Sequence, residues 1–151
     1  HPLALALLRA FGGGIAAQLA ARMRTRGDPQ VNAEKNSKEV PRPDPPAAMV
    51  LESTFTSVAR FAIGYGVPPF LATSPLRTDR VIGGFDFPLL IFHGTQDRIV
   101  PVSHGRKLHA LAPAAAYVEY PSDHNEFPGE MNMNAYWREI ERFLRSAGVL
   151  H

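Results

Sequence analysis

Three apolar runs of strand length lie along this chain, at residues 3–8, 48–51 and 89–92, and residues 116–120 also suit a strand. Runs of four to eight apolar residues between turn signals are typical of strands buried on both faces, as in a parallel sheet. The pattern therefore predicts four strands of a mostly parallel sheet.

The clearest predicted helix spans residues 132–146. Its apolar residues recur at spacings of three and four, with arginines and glutamates opposite. They are Met133, Tyr136, Trp137, Ile140, Phe143 and Leu144. A second helix is predicted over residues 103–111, and the alanine-rich stretch 15–22, after three glycines, predicts a tight turn and a third. Strands alternating with helices predict an α/β fold with a doubly wound, mostly parallel sheet and flanking helices.

Two segments break this alternation within what we interpret as a single domain over residues 1–151. Residues 27–46 are polar and rich in proline, which favours a flexible, solvent-exposed insertion. Residues 55–87 mix aromatics with glycine and proline, as a cap or pocket wall would. The aromatic residues that would line a pocket or form the core of the cap are Phe55, Phe61, Tyr65 and Phe70.

Composition narrows the possible functions. The formal charge is only +2, and the arginines are scattered, so we expect solvated helix faces and no nucleic-acid partner. The absence of cysteine excludes thiol catalysis and leaves the compartment open, with the cytoplasm slightly favoured.

The sequence also predicts neither a membrane span nor a cofactor. The first apolar run is too short to span a bilayer. No phosphate-binding glycine motif is present, so no cofactor is expected. The start at His1 favours a processed product or a piece of a longer protein.

Asp97 and His124 are the candidate catalytic residues, because each comes shortly after a predicted strand. Parallel strands end at one edge of the sheet, where such proteins bind ligands. A carboxylate there can accept a hydrogen bond from an imidazole on the next loop, fixing its tautomer and supporting the imidazolium formed when the ring takes a proton. These are the roles of the acid and the general base in a serine-hydrolase triad.

Three segments resemble the α/β-hydrolase-domain proteins related to serine aminopeptidases and acyl-protein thioesterases. They are residues 51–57 (Leu-Glu-Ser-Thr-Phe-Thr-Ser), 93–105 (from His-Gly-Thr-Gln-Asp to Ser-His-Gly) and 124–127 (His-Asn-Glu-Phe). The resemblance implies a partial α/β-hydrolase fold without its N-terminal strands, with Asp97 as triad acid and His124 as general base. It also implies a small-molecule or acyl-protein substrate carrying an ester, thioester or amide.

The nucleophile of that family lies in a Gly-x-Ser-x-Gly turn between a strand and a helix. The matching residues here are Leu8-Arg9-Ala10-Phe11-Gly12, so Ala10 stands where the serine belongs. The resemblance gives Phe11 the role of a backbone oxyanion donor, whereas the second donor comes from a loop earlier than any residue here. We therefore expect this chain, as written, to be inactive.

Several alternatives stay open at the level of sequence. The parent protein is either a working serine hydrolase, a pseudo-hydrolase that serves as a binding module, or a non-functional gene remnant. Ser53 and Ser57 are weak candidates for a replacement nucleophile, and Asp123 is better interpreted as a loop carboxylate than as a second acid. A metal site would draw on residues without a recognised ligand spacing, so none is expected. Those residues are His93, Asp97, His104, His109 and His124.

Overall fold

The structure, a computed structural model, describes residues 5–9, 46–64, 66–68, 70–71 and 77–151. Its strands and helices are, in chain order, β1 (Leu5–Arg9), β2 (Ala48–Glu52), α1 (Val58–Gly64), α2 (Thr78–Val81), β3 (Leu89–Gly94), α3 (Ser103–Leu111), β4 (Ala116–Tyr120) and α4 (Met133–Ser146). Short 3-10 turns, Ile82–Gly84 and Glu130–Asn132, precede β3 and α4.

The four strands form one parallel sheet in the order β1-β2-β3-β4. The α/β class and the parallel sheet predicted from the apolar runs are confirmed. β2 and β3 continue beyond their apolar runs, to Glu52 and to Gly94. The polar residues that end these strands therefore belong to the sheet, where ladder hydrogen bonds satisfy their backbone groups.

Both faces of the sheet are covered. Alternate residues of β2 and β3 point to opposite faces, as the strand period of two requires. On one face they pack beneath α4 in a cluster formed by Ala48, Val50, Leu90, Phe92, Tyr120, Phe127, Tyr136, Ile140, Phe143 and Leu144. On the other face they pack against α3 and the turn before β3, in a cluster formed by Met49, Leu51, Ile82, Leu89, Ile91, Leu108 and Ala115. This double burial explains why the strand sequences are continuously apolar.

α4 begins one residue later than predicted, and its apolar stripe is only partly buried. Met133 is 40% exposed and Trp137 is 54% exposed, while the other four members of the stripe are buried. Residues at i and i+4 lie one above the other on a helix. Met133 and Trp137 therefore form one flank of the stripe, and the sheet is contacted by the opposite flank.

Several predictions fall on residues that the structure does not describe or describes only in part. The predicted helix at 15–22 lies outside the described residues. So do residues 27–45 of the predicted insertion, whereas Pro46 is buried rather than exposed. In the cap-like segment, Phe55 is fully buried and Phe70 is 77% exposed, so these two aromatics do not share one environment. The side chain of Phe61 and the whole of Tyr65 are outside the described part.

Candidate active site

Asp97 lies in the turn that follows β3, and its carboxylate is fully buried. Oδ1 accepts two backbone hydrogen bonds, from the N–H of Ile99 at 2.9 Å and the N–H of Val100 at 2.7 Å. Aspartate bends the chain this way because its short side chain reaches backbone donors two and three residues ahead. The turn thereby fixes the carboxylate and leaves Oδ2 for another partner.

That partner is His124, in the loop after β4. The distance from His124 Nδ1 to Asp97 Oδ2 is 2.8 Å. A buried carboxylate oxygen accepts here, which assigns the proton to Nδ1 and leaves Nε2 with a basic lone pair. The imidazole is 16% exposed, so it lies at the boundary between the packed loops and solvent. The structure thus brings together the two residues that the sequence singled out.

Asp123 shapes the loop that carries His124. Its Oδ1 accepts hydrogen bonds from the backbone N–H groups of Asn125 at 2.9 Å and Glu126 at 3.0 Å. These contacts form a local turn. Asp97, rather than Asp123, is the carboxylate that binds the imidazole.

The loops after β3 and β4 run side by side because Gly94 allows close contact. The Thr95 N–H donates to the Tyr120 carbonyl at 2.8 Å, and the Gln96 N–H donates to the Ser122 carbonyl at 3.1 Å. A Cβ on Gly94 would lie 2.3 Å from that Ser122 carbonyl oxygen. The sequence analysis missed this role of Gly94, although a glycine that ends a strand is a signal of close backbone approach.

The loop after β2 reaches the same edge of the sheet through Ser53. This residue has a φ of 44°, a conformation that costs a non-glycine residue about 1–2 kcal/mol. Its backbone N–H donates to the Phe92 carbonyl at 3.0 Å, and its buried Oγ has no hydrogen-bond partner within the described part of the chain. Ser57 is fully buried. The hydroxyl of Ser53 is therefore not engaged by His124 in this arrangement.

The other histidines considered as metal ligands have separate roles. His104 Nδ1 lies 3.1 Å from the Thr56 backbone nitrogen, so it accepts from that N–H and connects α3 to the loop after β2. His109 stacks on Tyr117, with ring centroids 5.1 Å apart. Over the residues with described placement, no group of three or more histidine or acidic side chains is arranged to hold a metal ion. Over the same residues, no helix is long and apolar enough to cross a membrane.

Ala10 and Phe11, predicted at the nucleophile turn, lie outside the described residues. The backbone of β1 shows where the chain approaches that turn. Arg9, the last residue of β1, pairs with Glu52, and Glu52 pairs with Phe92. The chain therefore leaves β1 at the edge of the sheet from which the loops carrying Asp97 and His124 emerge.

Comparison with known proteins finds relatives that include an α/β-hydrolase domain-containing protein. No protein-family model matches the chain. It is 30% identical to the α/β-hydrolase domain-containing protein WAV2 of Arabidopsis thaliana over 122 residues, and the match covers 68% of this chain and 40% of that protein. It is 38% identical to the human protein ABHD12B over 84 residues, 45% of this chain and 23% of that protein. The chain thus spans two-fifths or less of the length of these two relatives.

Solved structures with the same arrangement include two bacterial esterases. The thermophilic esterase of Thermogutta terrifontis, with butyrate bound, superposes with a TM-score of 0.68 at 19% identity, covering 97% of this chain and 57% of that one. The esterase domain of a Rhodothermus marinus protein gives a TM-score of 0.65 at 15% identity, covering 95% of this chain and 60% of that one. At such identities the likeness establishes the fold.

Proposed function

Because this chain belongs to the α/β-hydrolase superfamily and carries part of that fold, we propose that Asp97 and His124 are the acid and the general base of an acyl-hydrolase site. The observation that carries the proposal is the 2.8 Å contact between His124 Nδ1 and Asp97 Oδ2. Esters are the favoured substrate class, since solved proteins of the same fold include esterases. Thioesters and amides are cleaved by the same attack on an acyl carbon, so they belong to the proposed substrate range.

The proposed mechanism assigns each atom of the pair a task. His124 Nε2 takes the proton from an attacking hydroxyl and returns it to the leaving group, while Nδ1–H keeps its hydrogen bond to Asp97. The carboxylate stabilises the imidazolium that forms between these steps. The backbone donors of Ile99 and Val100 prevent the carboxylate from turning away from the ring.

The attacking hydroxyl belongs at position 10, where this chain has alanine. A methyl group cannot form an acyl-enzyme, so we propose that the chain with Ala10 does not turn over esters through this site, and that Phe11 is the backbone oxyanion donor of the same turn. Loss of a triad member typically removes several orders of magnitude in rate. Ala10 also favours a second function, a non-catalytic module that binds an acyl ligand or a partner beside the Asp97–His124 pair.

The test compares variants of the chain on p-nitrophenyl acetate and butyrate. Ala10→Ser should raise kcat/KM by at least about a hundredfold, and His124→Gln in that background should remove the gain. His109→Gln in the same background is the matched control, because His109 stacks on Tyr117 instead of binding Asp97.

A folded Ala10→Ser chain with no His124-dependent hydrolysis would overturn the hydrolase proposal. Calorimetric binding of butyrate by the Ala10 chain, lost in His124→Gln, would then support the binding module. The absence of both hydrolysis and binding would refute both functions.

A further inference from the structure

His93, the penultimate residue of β3, is a fully buried imidazole that the proposed chemistry leaves without a task. Its Nε2 lies 2.8 Å from the carbonyl oxygen of Val100 and 3.7 Å from Oδ2 of Asp97. The N–H of the same Val100 donates to Asp97 Oδ1. The backbone of Val100 is therefore held at its carbonyl by His93 and at its N–H by the Asp97 carboxylate.

The protonation state of His93 follows from its partners. A carbonyl oxygen only accepts, so Nε2 carries the proton and donates. Burial lowers the pKa of His93, which favours the neutral ring. The 3.7 Å separation from Oδ2 is too long for a hydrogen bond. Asp97 therefore acts on His93 only through its charge, which raises the pKa of His93 against the larger, lowering effect of burial.

The rest of the ring is tightly enclosed. A Cβ on Gly105, in the first turn of α3, would lie 2.5 Å from Nδ1 and 2.9 Å from Cγ of His93. Nδ1 is buried and has no hydrogen-bond partner within the described part of the chain. An apolar side chain would fill this space without an unpaired ring nitrogen, but it would take away the donor that His93 supplies to the Val100 carbonyl. One ring nitrogen of His93 is thus left without a hydrogen bond in the described part of the chain, while the other donates to the turn that holds Asp97.

We propose that His93 is a positioning residue that, through Val100, holds Asp97 in the orientation in which Oδ2 meets His124. Its catalytic meaning rests on the function proposed above for the Asp97–His124 pair. The orientation of Asp97 towards His124 does not depend on catalytic turnover, so it is measured on the chain with Ala10.

The choice of variants separates the hydrogen bond from the packing. His93→Gln places an amide N–H close to the position of Nε2 and can still reach the Val100 carbonyl. His93→Asn is shorter, so its amide reaches only the position of Nδ1. His93→Leu fills the space without any donor. His109→Leu is the matched control, because it removes a ring that stacks on Tyr117.

The readouts are the NMR signal of the His124 Nδ1 proton and the rate at which this proton exchanges with water. In His93→Asn and His93→Leu we expect the signal to broaden or disappear and the exchange to speed up on the order of tenfold, as for the loss of about one hydrogen bond. His93→Gln should reverse at least half of that change, and His109→Leu should leave both readouts unchanged.

An unchanged signal and exchange rate of the His124 Nδ1 proton in folded His93→Asn and His93→Leu would overturn the proposal. If His93→Leu does not fold, the Asn and Gln pair decides alone, and equal behaviour of the two would also overturn it. Failure of Ala10→Ser to hydrolyse esters bears on the function of the pair, whereas these readouts bear on its geometry, so the two failures are distinguishable.

Discussion

Replacing Gly94 with alanine tests whether close contact between two loops holds the Asp97–His124 pair together. Gly94 ends β3, three residues before Asp97, and the Ser122 carbonyl that faces it lies two residues before His124. A Cβ at position 94 would lie 2.3 Å from that carbonyl oxygen, and real Cβ atoms essentially never approach closer than 3.0 Å. At least 0.7 Å of movement (3.0 − 2.3) is therefore required. Both sides of the contact are backbone, so no side-chain rotation can supply it.

The size of the effect follows from what has to move. Overpacking of this kind costs about 1–3 kcal/mol. Movement of the Ser122 peptide also weakens its hydrogen bond from the Gln96 N–H, worth about 1 kcal/mol. Together these give a loss of about 2–4 kcal/mol in the free energy of unfolding, which for a chain of this length lowers Tm on the order of 10 °C.

Thermal and urea unfolding followed by circular dichroism measure this loss, with Gly64→Ala as the control. Gly64 ends α1 and has nothing within 4 Å of the position of an added Cβ. We expect its Tm to be unchanged or slightly raised, since alanine favours the helix by up to about 1 kcal/mol. Equal Tm values for Gly94→Ala and Gly64→Ala would refute the reasoning. So would a destabilised Gly94→Ala chain whose His124 Nδ1 proton signal is the same as in the unaltered chain.

Substitutions at four further positions probe the fold by unfolding measurements. Phe92→Ala removes a fully buried ring, so its free energy of unfolding should fall by about 3–5 kcal/mol; a loss below that of a surface substitution would contradict the packing described. Ser53→Val should be less stable than Ser53→Gly by at least about 1 kcal/mol, because φ is positive there and β-branched residues avoid that region; the reverse order would be inconsistent with this backbone. Two hydrogen bonds from Arg106, at 2.8 and 2.9 Å, are the main cause that lowers the pKa of Glu119 to about 2. The stability that Glu119 contributes is therefore present above its unfolded pKa and is lost as the pH falls towards 2. Glu119→Gln should be less stable at pH 7 and equal to the unaltered chain near pH 2, and a pH-independent difference would argue against this pair. Burial lowers the pKa of His93, so the free energy of unfolding should decline as the pH falls below about 6.5, where the unfolded histidine takes up a proton. His93→Gln should flatten that decline. An unchanged dependence of the free energy of unfolding on pH would count against a buried neutral ring at position 93.

The sheet was the most predictable part of the fold, for a physical reason. Strands covered on both faces need apolar side chains at every position, so residues 48–51 and 89–92 stand out from the polar segments around them. The same signal could not show that Trp137 is half exposed, because helical periodicity identifies an apolar stripe and not the width of the surface that meets it.

The candidate site was predictable as a pair of residues and not as a structure. Asp97 and His124 stand at strand ends, and the topology of a parallel sheet places such positions at one edge. The contributions of Ser53, Gly94 and His93 depend on a backbone angle, a contact between two loops and a bond to a carbonyl. The backbone angle and the bond to a carbonyl have no signature in residue type or spacing, since they arise only when the chain is folded. The contact between the two loops is signalled only by a glycine at the end of a strand, which does not say what it approaches.

The hydrogen bonds of Asp97 have a consequence for how this chain changes over evolutionary time. Within the described part of the chain, two of the three hydrogen-bond partners of its carboxylate are the backbone N–H groups of Ile99 and Val100, which no substitution other than proline can remove. If Asp97 were lost, these donors would lose their acceptor, so the carboxylate contributes to folding whether or not an ester is ever cleaved. Selection for a folded chain alone is then enough to retain the acid of the pair. A lineage that exchanges its nucleophile for alanine would keep Asp97 long afterwards, and a single reverse substitution would meet the acid of the pair already in place.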